Sequence, residues 1–109
     1  MYTNISPTWL SYLIANSKHF ILVDIRDDID RNINYIKSSY HIKASEITKE
    51  LKQLTSCKKT KIIIYDSCND HSPIAATILL KTGYHNISIL EGGLKQWLSE
   101  QYPVETNTK

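Results

Sequence analysis

Apolar residues follow two kinds of pattern along this chain. Three short runs, residues 20–24, 61–65 and 86–90, are mostly apolar and rich in β-branched side chains, which is typical of strands buried in a parallel sheet. Between them, apolar residues recur three or four positions apart, which predicts helices over residues 6–17, from 45, from 72 to 83, and near 94–98. A short helix at 27–33 and a brief strand at 40–43 complete the pattern. This alternation predicts an α/β domain with a central, mostly parallel sheet of about five strands and helices on both faces.

Serine–proline pairs mark two of the predicted helix starts. Ser6 and Ser72 each precede a proline, and a serine N-cap followed by proline at the first helical position is a common way for a helix to begin. Gly83 suits the C′ position of the helix that Ser72 opens. Trp9 and Trp97 fall on apolar helical stripes, so we expect both in the core.

The composition is that of a globular protein and argues against several classes of function. The 109 residues are 41% hydrophobic and 22% charged, which suits a single domain over 1–109 with its core between about residues 6 and 104. The net charge is +2 and the 13 Lys and Arg residues are scattered, so we expect neither nucleic acid nor a membrane as partner. Without a leader-like start or an apolar run of about 20 residues, we expect a cytoplasmic protein.

The histidines and cysteines give little support to metal or disulfide chemistry. His19, His41 and His85 show no ligand spacing, and we expect neither a metal nor a cofactor. Cys57 and Cys68 are too few for a disulfide framework. They flank the strand predicted at residues 61–65, whereas a disulfide needs Cα atoms within about 7 Å, so we expect no bond between them.

The candidate ligand site is a set of three loops beyond the carboxyl ends of the predicted strands, where parallel α/β sheets bind ligands. These loops are residues 24–28, 66–71 and 91–93. The central loop and the residue after it are Asp66, Ser67, Cys68, Asn69, Asp70, His71 and Ser72. A tight strand–loop–helix turn points backbone N–H groups into a concavity that suits a thiolate, persulfide, sulfate or phosphate. On composition alone, a plain connection between strand and helix fits as well.

Several motifs resemble those of the rhodanese-like domain family. Asp24-Ile25-Arg26 matches the family's D-x-R element, and Gly83-Tyr84 matches its G-[FY] pair. Tyr65, the six-residue loop, Ser72 and Ala75-Ala76 match its strand, loop and following helix. Leu90-Glu91-Gly92-Gly93 with Trp97 matches its LEGG-x-x-x-W ending. The resemblance runs from about residue 6 to 104. It implies a rhodanese-like three-layer fold and sulfur-transfer chemistry.

The active-site loop departs from the family at the positions that carry this chemistry. In active relatives the first loop residue is the cysteine that becomes a persulfide, and the last is often arginine. Here these positions are Asp66 and His71, and Cys68 comes third. The family's glycine-histidine-isoleucine-proline-glycine stretch is replaced by NYIKS at residues 34–38. Because a carboxylate cannot accept a sulfane sulfur, the usual mechanism cannot run through Asp66.

Two functions remain open from the sequence. The first is a binding, regulatory or sulfur-relay module without ordinary thiosulfate sulfurtransferase activity. The second is a non-standard sulfurtransferase with Cys68 as the persulfide carrier. The loop amides, the helix N-terminus and His71 favour a Cys68 thiolate, whereas Asp66 and Asp70 oppose it. The partner is then a small sulfur-containing anion, such as thiosulfate or a persulfide donor, or another protein.

The remaining candidate residues have mainly structural interpretations. We expect Asp24 and Arg26 to fix a strand end by local hydrogen bonds. Gly92 and Gly93 are expected to permit a tight turn or a close approach of two backbones. A phosphatase of the related cell-cycle type is disfavoured, since those enzymes use a longer loop with cysteine first and arginine last.

Overall fold

The computed structural model describes residues 1–16, 18–68 and 70–106. Its strands are β1 (Thr3–Ile5), β2 (Ile21–Asp24), β3 (Asn34–Tyr35), β4 (Tyr40–His41), β5 (Ile62–Tyr65), β6 (Ile87–Leu90) and β7 (Glu105–Thr106). Its helices are α1 (Pro7–Ala15), α2 (Asp28–Ile33), α3 (Ile47–Leu54), α4 (Ser72–Lys81) and α5 (Gly93–Ser99). Residue 17, where the first helix was predicted to end, lies outside the described residues.

The main sheet has five strands in the order β1-β6-β5-β2-β4, and all of its pairings are parallel. This confirms the predicted α/β sheet. Asp24 pairs with Tyr65 at the carboxyl ends of β2 and β5, so the loops that follow these two strands start side by side. A separate two-stranded antiparallel sheet joins β3 to β7.

Helices cover both faces of the sheet and enclose two apolar clusters. The pleat of β5 divides its side chains between them, with Ile62 and Ile64 on one face and Ile63 and Tyr65 on the other. Helices α3 and α4 pack on the first face, and α1 and α5 on the second. In the described ranges, the helices are too short or too polar to cross a membrane.

Two expectations about the helices are wrong in detail. Trp9 is 52% exposed, because Leu10 and Leu13 form the face of α1 that is buried and Trp9 stacks on Tyr12 outside it. Trp97, by contrast, is in the core, as predicted. The helix predicted from residue 45 begins instead as a 3₁₀ turn, Ala44–Glu46, and becomes α-helical at Ile47.

The end of α4 agrees with its prediction. Gly83 has a φ of +98°, and its N–H donates to the carbonyl of Leu80 while that of Tyr84 donates to Leu79, each at 3.1 Å. These two bonds form a Schellman motif.

Candidate functional site

A cavity of about 410 Å³ opens beyond the carboxyl ends of β2 and β5. Two of the three predicted loops line it, together with part of α2 and the 3₁₀ turn. The lining residues are Ile25, Arg26, Asp27, Asp30, Ala44, Asp66, Ser67, Cys68, Asp70 and His71. Residue 69, a predicted site residue, lies outside the described residues.

Asp24 and Arg26 form a buried ion pair beneath the cavity. The Asp24 carboxylate accepts hydrogen bonds from the Arg26 backbone N–H at 3.0 Å, from Nε at 2.9 Å and from Nη2 at 2.8 Å. The Tyr65 hydroxyl donates to it at 3.0 Å, and Arg31 at 3.3 Å. Arg26 also donates to the side chain and carbonyl of Asn34. The pair therefore fixes the end of β2, as predicted, and Arg26 has little capacity left for a ligand.

This network shifts the pKa values of its members. Burial alone would raise the pKa of Asp24, but the hydrogen bonds and charge of Arg26 outweigh it and hold the pKa below its ordinary value. Burial, together with the charge of Asp24, raises the pKa of Tyr65 to about 12. Asp24 is thus an anion and Tyr65 a neutral donor across the physiological range.

Asp66 turns into the loop and binds its backbone. Its side chain is nearly fully buried, and Oδ2 accepts hydrogen bonds from the N–H of His71 at 2.7 Å and of Ser72 at 3.1 Å. These two amides belong to the N-cap and first residue of α4. The predicted cap by the Ser72 side chain is therefore wrong by one residue, because Asp66 satisfies the helix end from across the loop.

Cys68 lies on the exposed rim of the cavity, and its thiol donates a hydrogen bond to Oδ2 of Asp70 at 3.1 Å. This hydrogen bond is the largest cause that raises the pKa of Cys68, and the charges of Asp70 and Asp66 add to it. Of the competing influences expected from the sequence, the acidic ones prevail. At neutral pH the thiol is mostly protonated.

Gly92 and Gly93 support the loop from behind and do not line the cavity. Both have positive φ, +72° and +63°. A Cβ atom on Gly93 would lie 2.7 Å from the carbonyl oxygens of Asp66 and Ser67. The N–H of Leu94 donates to Asp66 at 2.8 Å and that of Lys95 to Ser67 at 2.9 Å. The positive φ expected of these glycines is confirmed for both, and the close approach of two backbones is confirmed for Gly93.

The cavity is acidic, a feature that the motif comparison did not reveal. Asp27 caps α2 by accepting the Asp30 N–H at 3.1 Å, and both side chains face the same cavity as Asp66 and Asp70. Among the described lining residues, the basic groups are Arg26, which is paired with Asp24, and His71. Asp27 and Asp30 could have been found in the sequence from their position next to the D-x-R element. Acidic residues are also common at the start of a helix, however, and that structural role explains them equally well.

Comparison with known proteins gives one consistent family. A family model described as "Rhodanese-like domain" matches residues 6–100. The Arabidopsis thaliana protein "Rhodanese-like domain-containing protein 14, chloroplastic" is 29% identical over 103 residues; the match covers 90% of this chain but 44% of the Arabidopsis protein, so the chain spans less than half of that relative. "Thiosulfate sulfurtransferase GlpE" of Pseudomonas fluorescens is 29% identical over 86 residues, covering 79% of this chain and 76% of the relative.

A solved structure supports the same fold. The crystal structure of thiosulfate sulfurtransferase from Pseudomonas aeruginosa superposes with a TM-score of 0.89 at 19% identity. The superposition covers 97% of this chain and 20% of that one. At this identity the likeness shows the fold alone.

Proposed function

This chain belongs to the rhodanese-like domain family, and we propose that it serves as a binding, regulatory or sulfur-relay module without ordinary thiosulfate sulfurtransferase activity. In this proposal Asp66 occupies the position of the family's sulfur-carrying cysteine. The observation that carries the proposal is the contact of the Asp66 carboxylate with the amides of His71 and Ser72, at 2.7 and 3.1 Å.

A carboxylate in this position acts as a built-in anion. The amides at the start of α4 are the donors that would stabilise a persulfide or a bound oxyanion, and the helix dipole favours negative charge there. Because Asp66 already accepts from two of them, an entering anion must compete for these donors. It must also approach three further carboxylates, those of Asp27, Asp30 and Asp70. Thiosulfate is a dianion, so both effects oppose its binding.

Cys68 as a persulfide carrier is the alternative, supported by its place on the rim of the same cavity. Sulfur transfer from thiosulfate begins with attack by a thiolate, and Asp70 holds the Cys68 thiol in its protonated form. Little of the Cys68 thiol is therefore present as the nucleophilic thiolate at neutral pH. For this reason we favour the binding module.

Sulfate binding by an Asp66→Ala protein tests the proposal. The substitution frees the two amides, and sulfate should then raise the unfolding temperature of this variant more than that of the native protein. Asp70→Ala is the matched control, since it removes a charge from the cavity and frees neither amide. If sulfate stabilises Asp66→Ala no more than Asp70→Ala, then Asp66 does not fill an anion site and the proposal fails.

A further inference from the structure

We propose that the acidic cavity and an apolar groove beside it receive a segment of a partner protein in which a bulky apolar side chain lies next to a lysine or arginine. This inference rests on the proposed function, because it names the class of partner for the same binding site.

The apolar groove is continuous with the cavity. It has a volume of about 290 Å³ and shares Arg26, Asp30 and Ser67 with the cavity wall. Its remaining lining residues are Ile33, Asn34, Leu94, Lys95 and Leu98. Leu94 forms a buried floor, whereas Ile33 is 61% and Leu98 41% exposed. These two exposed aliphatic side chains line a concave surface and offer apolar area that a ligand side chain would remove from water.

The charges of the cavity select a cation. Asp27 and Asp70 are exposed, Asp30 is half-buried, and all three face the cavity. Burial and the neighbouring charge of Asp27 raise the pKa of Asp30, which indicates repulsion between these two carboxylates. A cation placed between them relieves that repulsion. Arg26 hydrogen-bonds to Asp24, and its charge also acts on Asp27 and Asp30 in the direction that lowers their pKa values. The carboxylates of Asp27, Asp30, Asp66 and Asp70 still outnumber Arg26 and His71, the basic side chains among the described residues that line the cavity.

The two volumes also fix the orientation of the ligand. Lys95 lines the groove but not the cavity, so it disfavours a basic side chain in the groove and leaves the carboxylates of the cavity to receive it. An apolar side chain fits between Ile33 and Leu98, where it covers Leu94. A small cation such as a polyamine satisfies the carboxylates but leaves the groove empty. A protein segment carrying adjacent apolar and basic side chains satisfies both.

The test measures binding of short fluorescein-labelled peptides to the full chain by fluorescence polarisation. The reference peptide carries one leucine followed by two lysines within glycine and serine. Three analogues replace the lysines by glutamine, the lysines by glutamate, or the leucine by serine. We expect the reference peptide to bind most tightly and the glutamate analogue not to bind. Raising the salt from about 50 mM to about 500 mM should weaken the reference complex, because exposed ion pairs are screened.

Surface variants identify the site. Asp27→Asn keeps the cap of α2, since asparagine caps as well as aspartate. Asp27→Asn should weaken binding of the reference peptide by up to about fivefold. The double variant with Asp30→Asn should weaken this binding by about tenfold or more. Leu98→Ser should weaken it about fivefold without changing the salt dependence. The matched controls are Glu50→Gln and Ile78→Ser, a carboxylate and a similarly exposed aliphatic residue that line neither volume.

Three results would overturn the inference. These are equal binding of the lysine and glutamate peptides, equal effects of Leu98→Ser and Ile78→Ser, and binding of spermidine as tight as that of the reference peptide. Its failure is distinguishable from failure of the proposed function. Uptake of sulfur by Cys68 from thiosulfate overturns the proposed function whatever the peptides do. Absence of peptide binding without sulfur uptake overturns the inference alone.

Discussion

The thiol of Cys68, in the loop between β5 and α4, donates a hydrogen bond to the carboxylate of Asp70 at 3.1 Å. This bond holds the thiol in its protonated state. The other cysteine is in the opposite situation. Cys57 lies before β5, where the N–H of Lys59 is the largest cause that lowers the pKa of its thiol, with the Thr60 hydroxyl next. Both cysteines are exposed and unpaired. The more reactive thiol is therefore the one outside the candidate site.

Alkylation rates should reflect this order. At neutral pH, iodoacetamide should modify Cys57 faster than Cys68, because the thiolate fraction rises as the pKa falls. Asp70→Asn removes the charge that stabilises the thiol, so the Cys68 rate should rise by roughly threefold or more, one pKa unit being worth about tenfold. Peptide mapping by mass spectrometry measures both rates, with Glu50→Gln as the control. Faster labelling of Cys68 than of Cys57 in the native protein would contradict the assigned hydrogen bond.

The sequence predicted the central strands well because they are buried on both faces. β2, β5 and β6 each have four residues, nearly all buried, and such strands leave long apolar runs. β1 was missed because Ile5 is its one buried residue, and β3 and β7 because two residues carry no periodicity. These short strands depend on partners that are distant in sequence. Residue patterns along the chain do not report such pairings.

Two of the three loops predicted for the candidate site line the cavity, the loop at 91–93 does not, and the acidic character of the cavity was not predicted. The ends of β2 and β5 give its location, since parallel strands end at one edge of the sheet. The contribution of Asp30 follows from the orientation of α2, which the sequence leaves undetermined. Ser38 is a similar case. It adopts a φ of +70°, in the left-handed region that favours glycine, and a serine does not signal this conformation in the sequence.

Acid should weaken the buried ion pair of Asp24 and Arg26. The pKa of Asp24 is lower in the folded than in the unfolded chain. The pair therefore makes its full contribution to the free energy of unfolding above about pH 4, and this contribution is lost as the pH falls through the folded-state pKa of Asp24. Asp24→Asn should lower the free energy of unfolding by about 3–5 kcal/mol at pH 7, since it leaves Arg26 buried without its counter-charge. Urea titrations at neutral and acidic pH measure both effects.

Asp28→Asn is the control for this measurement. Asp28 pairs with Lys43 at 3.2 Å, but its side chain is 68% exposed. Its loss should cost less than about 1 kcal/mol. Equal losses for the two variants would mean that the Asp24 pair contributes no more than a surface contact.

The contact between Gly93 and the loop that follows β5 should be visible as a difference in stability between alanine variants of two glycines. Gly93→Ala and Gly83→Ala both place a side chain at positive φ, at a cost of about 1–2 kcal/mol. At Gly83 the nearest atom lies 3.8 Å from the new Cβ, whereas at Gly93 backbone oxygens lie at 2.7 Å. Gly93→Ala should therefore cost about 1–3 kcal/mol more in the free energy of unfolding. Equal costs would show that the loop moves away freely.

The most direct test of the central claim is the mass of the protein after incubation with thiosulfate. It is best done in a Cys57→Ser background, so that the exposed second thiol contributes nothing. Moving the thiol to the first loop position, with Asp66→Cys and Cys68→Ser together, should let the protein gain one sulfur atom and transfer it to cyanide about a hundredfold above background. Recovery should stay incomplete, because His71 is a poorer permanent cation than the arginine of active relatives. With Asp66 and Cys68 in place we expect no gain in mass. A gain of one sulfur there that Cys68→Ser abolishes would contradict the account and make this protein a sulfurtransferase.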